Sequence, residues 1–210
     1  MVPLLLIGVL GALAFANENA HQSWSAVFAH DQLHSSTGMA SVAPAVFAAT
    51  VALTRFSIGG LKGAHSQTVL LAGSFAAAAG AASIAAAPNL LVAVLGLAVA
   101  AAGTAVLFPT LLGIVSRNVD EAHRGRATSI VTTVSYLGFL LGPVYVGVLA
   151  DATGLRGAMA AIAALAVALF ILTPTLLRLS GFGQPANQSH PTHRLAALSD
   201  NGERPVQETV

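Results

Sequence analysis

The chain has 210 residues, of which 55% are hydrophobic and only 8% charged, with a formal net charge of +1. Soluble domains carry about a quarter charged residues, so there is too little polar surface here to wrap a water-soluble core. The composition is that of an integral membrane protein. No basic, aromatic-rich face supports nucleic acid as a partner, and the absence of cysteine excludes disulfides, thiol catalysis and Cys-ligated metal centres.

Six apolar segments are expected at 3–27, 38–60, 67–87, 89–113, 127–150 and 155–178, each near the roughly 20 residues that cross a hydrocarbon core. The predicted fold class is therefore all-α and polytopic. Residues 179–210 are rich in Gly, Pro, Asn, Gln and Ser and read as a disordered tail. The third segment is so rich in Ala that its hydrophobicity alone is marginal. The first is apolar only to Phe15 and then turns polar.

That polar stretch holds Asn17, Glu18, Asn19, His21, Gln22 and Trp24, the only tryptophan in the chain. A carboxylate in or beside a bilayer costs a few kcal/mol on insertion scales and is by default a functional-site hypothesis. On a helix Glu18 and Gln22 share a face, with His21 adjacent. In one reading this stripe lines a cavity: Glu18 carries a proton, Asn17, Asn19 and Gln22 bond a polar solute, and Trp24 stacks on a sugar face. In the other, the helix ends near Ala16, the stretch is a wet shoulder, and Trp24 is an interfacial anchor. Leu4–Phe15 also has the length of a signal-peptide h-region and Ala14-Phe15-Ala16 matches an A-x-A cleavage site, although Met1-Val2-Pro3 lacks a basic n-region.

Basic residues set the expected orientation. Arg55 and Lys62 flank one connection, Arg117, Arg124 and Arg126 another, and Arg178, Arg194 and Arg204 follow the last segment, leaving Arg156 alone on the opposite side. The positive-inside rule then makes both termini cytoplasmic. Gly138 and Gly142 put bare backbone on one helix face beside Pro143 and Gly147, a pattern for close helix crossing and a bend. Pro44 and Pro109 invite the same reading. The cluster Asp120, Glu121, His123, Arg124 and Arg126 is either a solvated loop or an inner gate that exchanges ion pairs. His30-Asp31-x-x-His34 is a poor metal site, His190 and His193 belong to the tail, and neither metal nor cofactor is expected. No hydrolase, zinc-protease, phosphate-loop or dinucleotide motif is present, so no enzyme activity is expected.

Gly138-Phe139-Leu140-Leu141-Gly142-Pro143 with Gly147-Val148-Leu149-Ala150-Asp151-Ala152-Thr153-Gly154-Leu155-Arg156 resembles the eleventh helix and exit loop of major facilitator superfamily transporters. The nearest flavour is the bacterial subgroup related to sugar and fucose permeases. Glu18-x-Ala20-x3-Trp24-Ser25-Ala26 is similar to that subgroup's seventh helix, Arg55-x3-Gly59 to the end of the eighth, and Gly103 to Pro109 with Arg117 to the tenth. Relatives place an acidic residue near Gly60, and here there is none. The resemblance covers roughly residues 3–178 and only the C-terminal six-helix half of the family fold. It implies that segments one and four line the cavity, two and five face the other half, and three and six lie outermost. It implies further a proton-coupled transporter of a small polar solute, a sugar among the candidates, in a bacterial inner (plasma) membrane. Arg55, Arg117, Arg124 and Arg126 would form a cytoplasmic gate. Alternating access would need an N-terminal half or a second copy. The alternative is a non-transporting remnant or a partner subunit of a membrane complex.

Overall fold

The computed structural model describes residues 1–58 and 66–182, and they are helical almost throughout. Gly59, Gly60, Lys62 and residues 183–210 with His190 and His193 lie outside the described residues. Helix α1 runs unbroken over Val2–Val27 and continues as a π-helical turn, Phe28–Gln32. There follow a short α2 (Thr37–Ala40), α3 (Val42–Ile58), α4 (Ser66–Ala85), α5 (Leu90–Ala105) and α6 (Leu107–Asn118). Helix α7 spans Glu121–Leu179.

Three expected segments look different in the structure. The fourth is broken at Val106 (φ −86, ψ −18) into α5 and α6. The fifth and sixth form one 59-residue helical stretch interrupted at Gly154 (φ 77, ψ 169). At 1.5 Å per residue that stretch would be about 90 Å long, some three bilayer cores, if it were straight. It is not. Contacts with α1 rise in step along the limb before Gly154: Gly138 packs on Ala12 and Gly142 on Ala16. Beyond Gly154 the order inverts: Arg156 lies over Phe28, and Asn17 bonds Ile162. The chain therefore reverses at Gly154, in a backbone conformation that is essentially glycine's alone.

Small residues decide how closely the helices approach. A Cβ on Gly142 would stand 2.6 Å from the Ala16 carbonyl oxygen, and one on Gly138 would collide with the Ala12 backbone. Helices α4 and α5 meet in the same way, Gly73 and Gly80 against Gly103, Ala100 and Gly96. Lipid is as apolar as leucine, so contacts of this kind, not water exclusion, drive helix association in a bilayer. Outward-facing surface is apolar where lipid or another protein would cover it. Leu137, Leu140, Leu141, Val144 and Val148 form an exposed stripe on the first limb of α7, and Leu53 and Phe56 are exposed on α3.

Besides a small alanine cluster between α4 and α7 (Ala77, Ala81, Ala163 and Ala166), the core divides into two clusters. One holds Ala20, Phe28, Phe47, Leu97, Ala105 and Ile162; the other holds Ile7, Ala14, Leu107, Val131 and Leu169. Along α1 the boundary falls between Ala14 and Ala20, and along α5–α6 it falls at Val106. The polar residues of α1 occupy this middle level. Glu18 is 16 residues beyond Val2, about 24 Å along the axis and near the midpoint of the helical stretch Val2–Gln32.

Candidate functional site

Because α1 does not stop near Ala16, the polar stretch is helical, and successive residues face different neighbours. Asn17, His21 and Ser25, four apart, turn into the bundle and are fully buried. Asn17 Nδ2 donates to the Ile162 carbonyl at 3.1 Å. The His21 ring packs 5.9 Å from that of Phe47, and neither of its nitrogens has a protein hydrogen-bond partner. Gln22 and Ser23 are exposed on the opposite side, and Asn19 is half-buried.

Glu18 meets Arg55 of α3. Arg55 Nη2 donates to both carboxylate oxygens, Oε1 at 2.9 Å and Oε2 at 2.8 Å. The carboxylate is the better covered partner, with side-chain exposures of 13% for Glu18 and 39% for Arg55. A guanidinium at this point answers the cost of an intramembrane carboxylate, since charges at that depth pair or sit in polar cavities. It also gives Arg55 the acidic partner that the sequence around Gly60 lacks. Arg55 Nε donates in addition to the Ala105 carbonyl at 3.4 Å. Pro109, four residues on, has no N–H to offer that carbonyl.

The proline within α7 is served in the same way. Pro143 leaves the Phe139 carbonyl without its usual helical donor, and Asn19 Nδ2 donates to it at 2.7 Å. Trp24 Nε1 donates to the Pro143 carbonyl at 3.1 Å, and its ring edge occupies the space left by the missing side chain of Gly147. Gly138, Gly142, Pro143 and Gly147 thus form one face, seated on Ala12, Ala16, Asn19 and Trp24 of α1.

Sequence reasoning grouped Arg55 with Arg117, Arg124 and Arg126, and the structure separates them. Arg117 Nη2 donates to Ser66 Oγ at 2.5 Å, tying the end of α6 to the start of α4. Arg124 Nε bonds the Val119 carbonyl at 3.1 Å, and Arg126 is exposed near the start of α7. His30 and Asp31 bond each other at 2.5 Å on the surface. Among the described residues no group of three metal-binding side chains comes together.

One feature escaped the sequence reading. Phe15, Phe108, Tyr136 and Phe139 form an aromatic cluster one helical turn from Glu18. Phe15 lies 4.3 Å from Phe108 and 5.4 Å from Tyr136 by ring centroids, while Tyr136 and Phe139 meet edge to face at 6.0 Å. The signal was available, since Phe15 is three residues before Glu18 and Tyr136 and Phe139 precede Pro143 on one face. The rings come from three separate segments, however, and only packing unites them. Chemically the site offers an ion pair, the exposed carboxamide of Gln22 and a nearby aromatic cluster.

Residues 4–206 match the family model described as Major Facilitator Superfamily. An uncharacterised MFS-type transporter of Yersinia pestis is 28% identical over 163 residues, which are 77% of this chain and 42% of that protein. Among solved structures, the peptide transporter POT in complex with sulfate matches with a TM-score of 0.74 at 16% identity, over 94% of this chain and 42% of that one. A variant of the same transporter bound to alafosfalin gives 0.73 over the same shares. At such identity the likeness is one of fold. The chain thus spans 42% of the length of these relatives.

Proposed function

The chain belongs to the Major Facilitator Superfamily, and we propose that it forms one wall, the C-terminal half, of a secondary transporter coupled to protons through Glu18. The observation that carries this reading is the Glu18–Arg55 pair at the middle level of the bundle, with Gln22 exposed beside it. Transporters built from repeats bind solute near the bilayer midplane, at the interface between the repeats. A carboxylate that releases its guanidinium on taking up a proton, in a cavity opened to each side in turn, gives coupling.

The partner wall is an N-terminal half or a second copy of this chain, and the exposed apolar stripes of α3 and the first limb of α7 are the surfaces it would cover. Both termini are cytoplasmic by the distribution of arginine, in a bacterial inner membrane, and Arg117, Arg124 and Arg126 lie at the cytoplasmic gate. The solute is small and polar. Sugars are the first class to test, in the subgroup related to sugar and fucose permeases, and short peptides belong in the same panel because the structural neighbour is a peptide transporter. Trp24 spends its N–H on Pro143, so any sugar contact falls to its ring and to Gln22.

The test is reconstitution of the chain, alone and with a candidate N-terminal half, in vesicles containing a pH-sensitive dye. Solute-dependent acidification of the lumen by any member of the panel supports the reading. A second reading is a partner subunit that does not itself transport. It is favoured if the chain binds a partner stably but no solute moves protons in any pairing.

A further inference from the structure

Arg55 touches three helices with one side chain. It stands on α3, donates through Nη2 to Glu18 of α1, and donates through Nε to the Ala105 carbonyl where α5 gives way to α6. That carbonyl is the one Pro109 cannot bond, so it is both freed by the break and exposed to whatever donor the break admits. The carbonyl freed by Pro143 also receives a side-chain donor, but that donor is the neutral amide of Asn19. Of these two carbonyls, the one at Ala105 has the donor that is shared with a carboxylate.

We propose that Arg55 is a positioning residue that transmits the charge of Glu18 to the bend between α5 and α6. With Glu18 ionised, the guanidinium is held toward α1 and spares the Ala105 carbonyl only a long bond of 3.4 Å. With Glu18 neutral, the Coulomb attraction is gone and the same five-donor group moves onto the freed carbonyl, changing the angle at Val106. Of the other ionisable groups on the elements packed around Glu18, α5 carries none, Arg117 of α6 lies in its last turn, Tyr136 of α7 packs on Phe15, and Tyr145 of α7 packs against the cluster of Phe28, Phe47 and Ile162 with its hydroxyl buried and unbonded. His21 faces Phe47. The proposal rests on the reading of Glu18 as the coupling carboxylate, and gives that residue a mechanical consequence in a cavity-lining helix.

The chain contains no cysteine, so spin labels at Leu91→Cys and Ser116→Cys report the bend directly in the full-length protein. Both positions are exposed, and from a kink of about 20° a further change of about 20° moves labels some 37 Å apart by about 1.5 Å. Glu18→Gln should shift the distance distribution by about that amount. Arg55→Lys keeps a cation for Glu18 but loses the Nε donor, so it should shift or broaden the distribution without removing the ion pair. Pro109→Ala restores the N–H that the Ala105 carbonyl lacks; in that background the distance should no longer depend on residue 55 or on residue 18. Unchanged distances in Glu18→Gln or Arg55→Lys overturn the proposal, as does an equal response in the Pro109→Ala background. The transport reading fails separately, through a Glu18→Gln protein that still accumulates solute, whatever the labels report.

Discussion

Gly142→Ala adds one methyl group at the close crossing of α1 and the first limb of α7. Its Cβ would stand 2.6 Å from the Ala16 carbonyl oxygen and 3.0 Å from the Ala16 Cα. Both neighbours are backbone, so no side-chain rotation relieves the clash. Separations below 3.0 Å are essentially never seen, so α1 and the first limb of α7 must part by at least about 0.4 Å. Overpacking of this kind costs about 1–3 kcal/mol. The same crossing carries the Asn19–Phe139 and Trp24–Pro143 bonds, at 2.7 and 3.1 Å, and inter-helix hydrogen bonds in membranes are worth about 0.6 kcal/mol each. Straining both brings the expected loss to about 2–4 kcal/mol. The assay is reversible unfolding in mixed micelles, read by Trp24 fluorescence, whose indole sits on this crossing. Gly125→Ala is the control: nothing lies within 4 Å of its Cβ, and Ala in a helix should be neutral or up to about 1 kcal/mol stabilising. A Gly142→Ala protein as stable as its parent would refute the packing argument.

Gly154→Ala meets no neighbouring atom, yet its φ of 77 and ψ of 169 are strained for any L side chain. It should cost about 1–3 kcal/mol in the same unfolding assay, and a neutral result would mean the reversal does not need that conformation. Arg156 donates to the Ala85 and Ala87 carbonyls at 3.1 and 3.0 Å, at the end of α4. Arg156→Gln should lose about 1–2 kcal/mol, and increased proteolysis at the α4–α5 connection would report the fraying. His21→Phe should leave stability within about 1 kcal/mol, because the ring is buried without partners and an apolar ring fits beside Phe47. A loss above about 2 kcal/mol would show that the imidazole nitrogens are bonded after all.

Hydropathy, proline and glycine spacing made much of the architecture legible. The Gly138/Gly142 pair could be read as a crossing because bare backbone four residues apart means close approach in any helix. What could not be read was the partner helix, since Ala12 and Ala16 are unremarkable in sequence. Glu18 stood out because a carboxylate beside an apolar run is costly wherever it lies. Its guanidinium did not: Arg55 looked like one of several loop-flanking arginines, and only the antiparallel descent of α3 brings it level with Glu18. His21 turns away from Glu18 for a geometric reason. At three residues from Glu18 it sits about 60° round the helix, enough to join Asn17 and Ser25 on the inward face. Prolines showed where carbonyls would be freed, but which side chain answers each one is a property of the assembled bundle.

The central claim, that Glu18 couples solute movement to protons, is tested most directly by comparing accumulation with exchange. In vesicles holding the transporting assembly, Glu18→Gln should abolish solute accumulation driven by a pH gradient while leaving solute counterflow at the wild-type rate, because exchange needs the cavity but not the proton. Accumulation by Glu18→Gln equal to that of the unaltered protein would contradict the account.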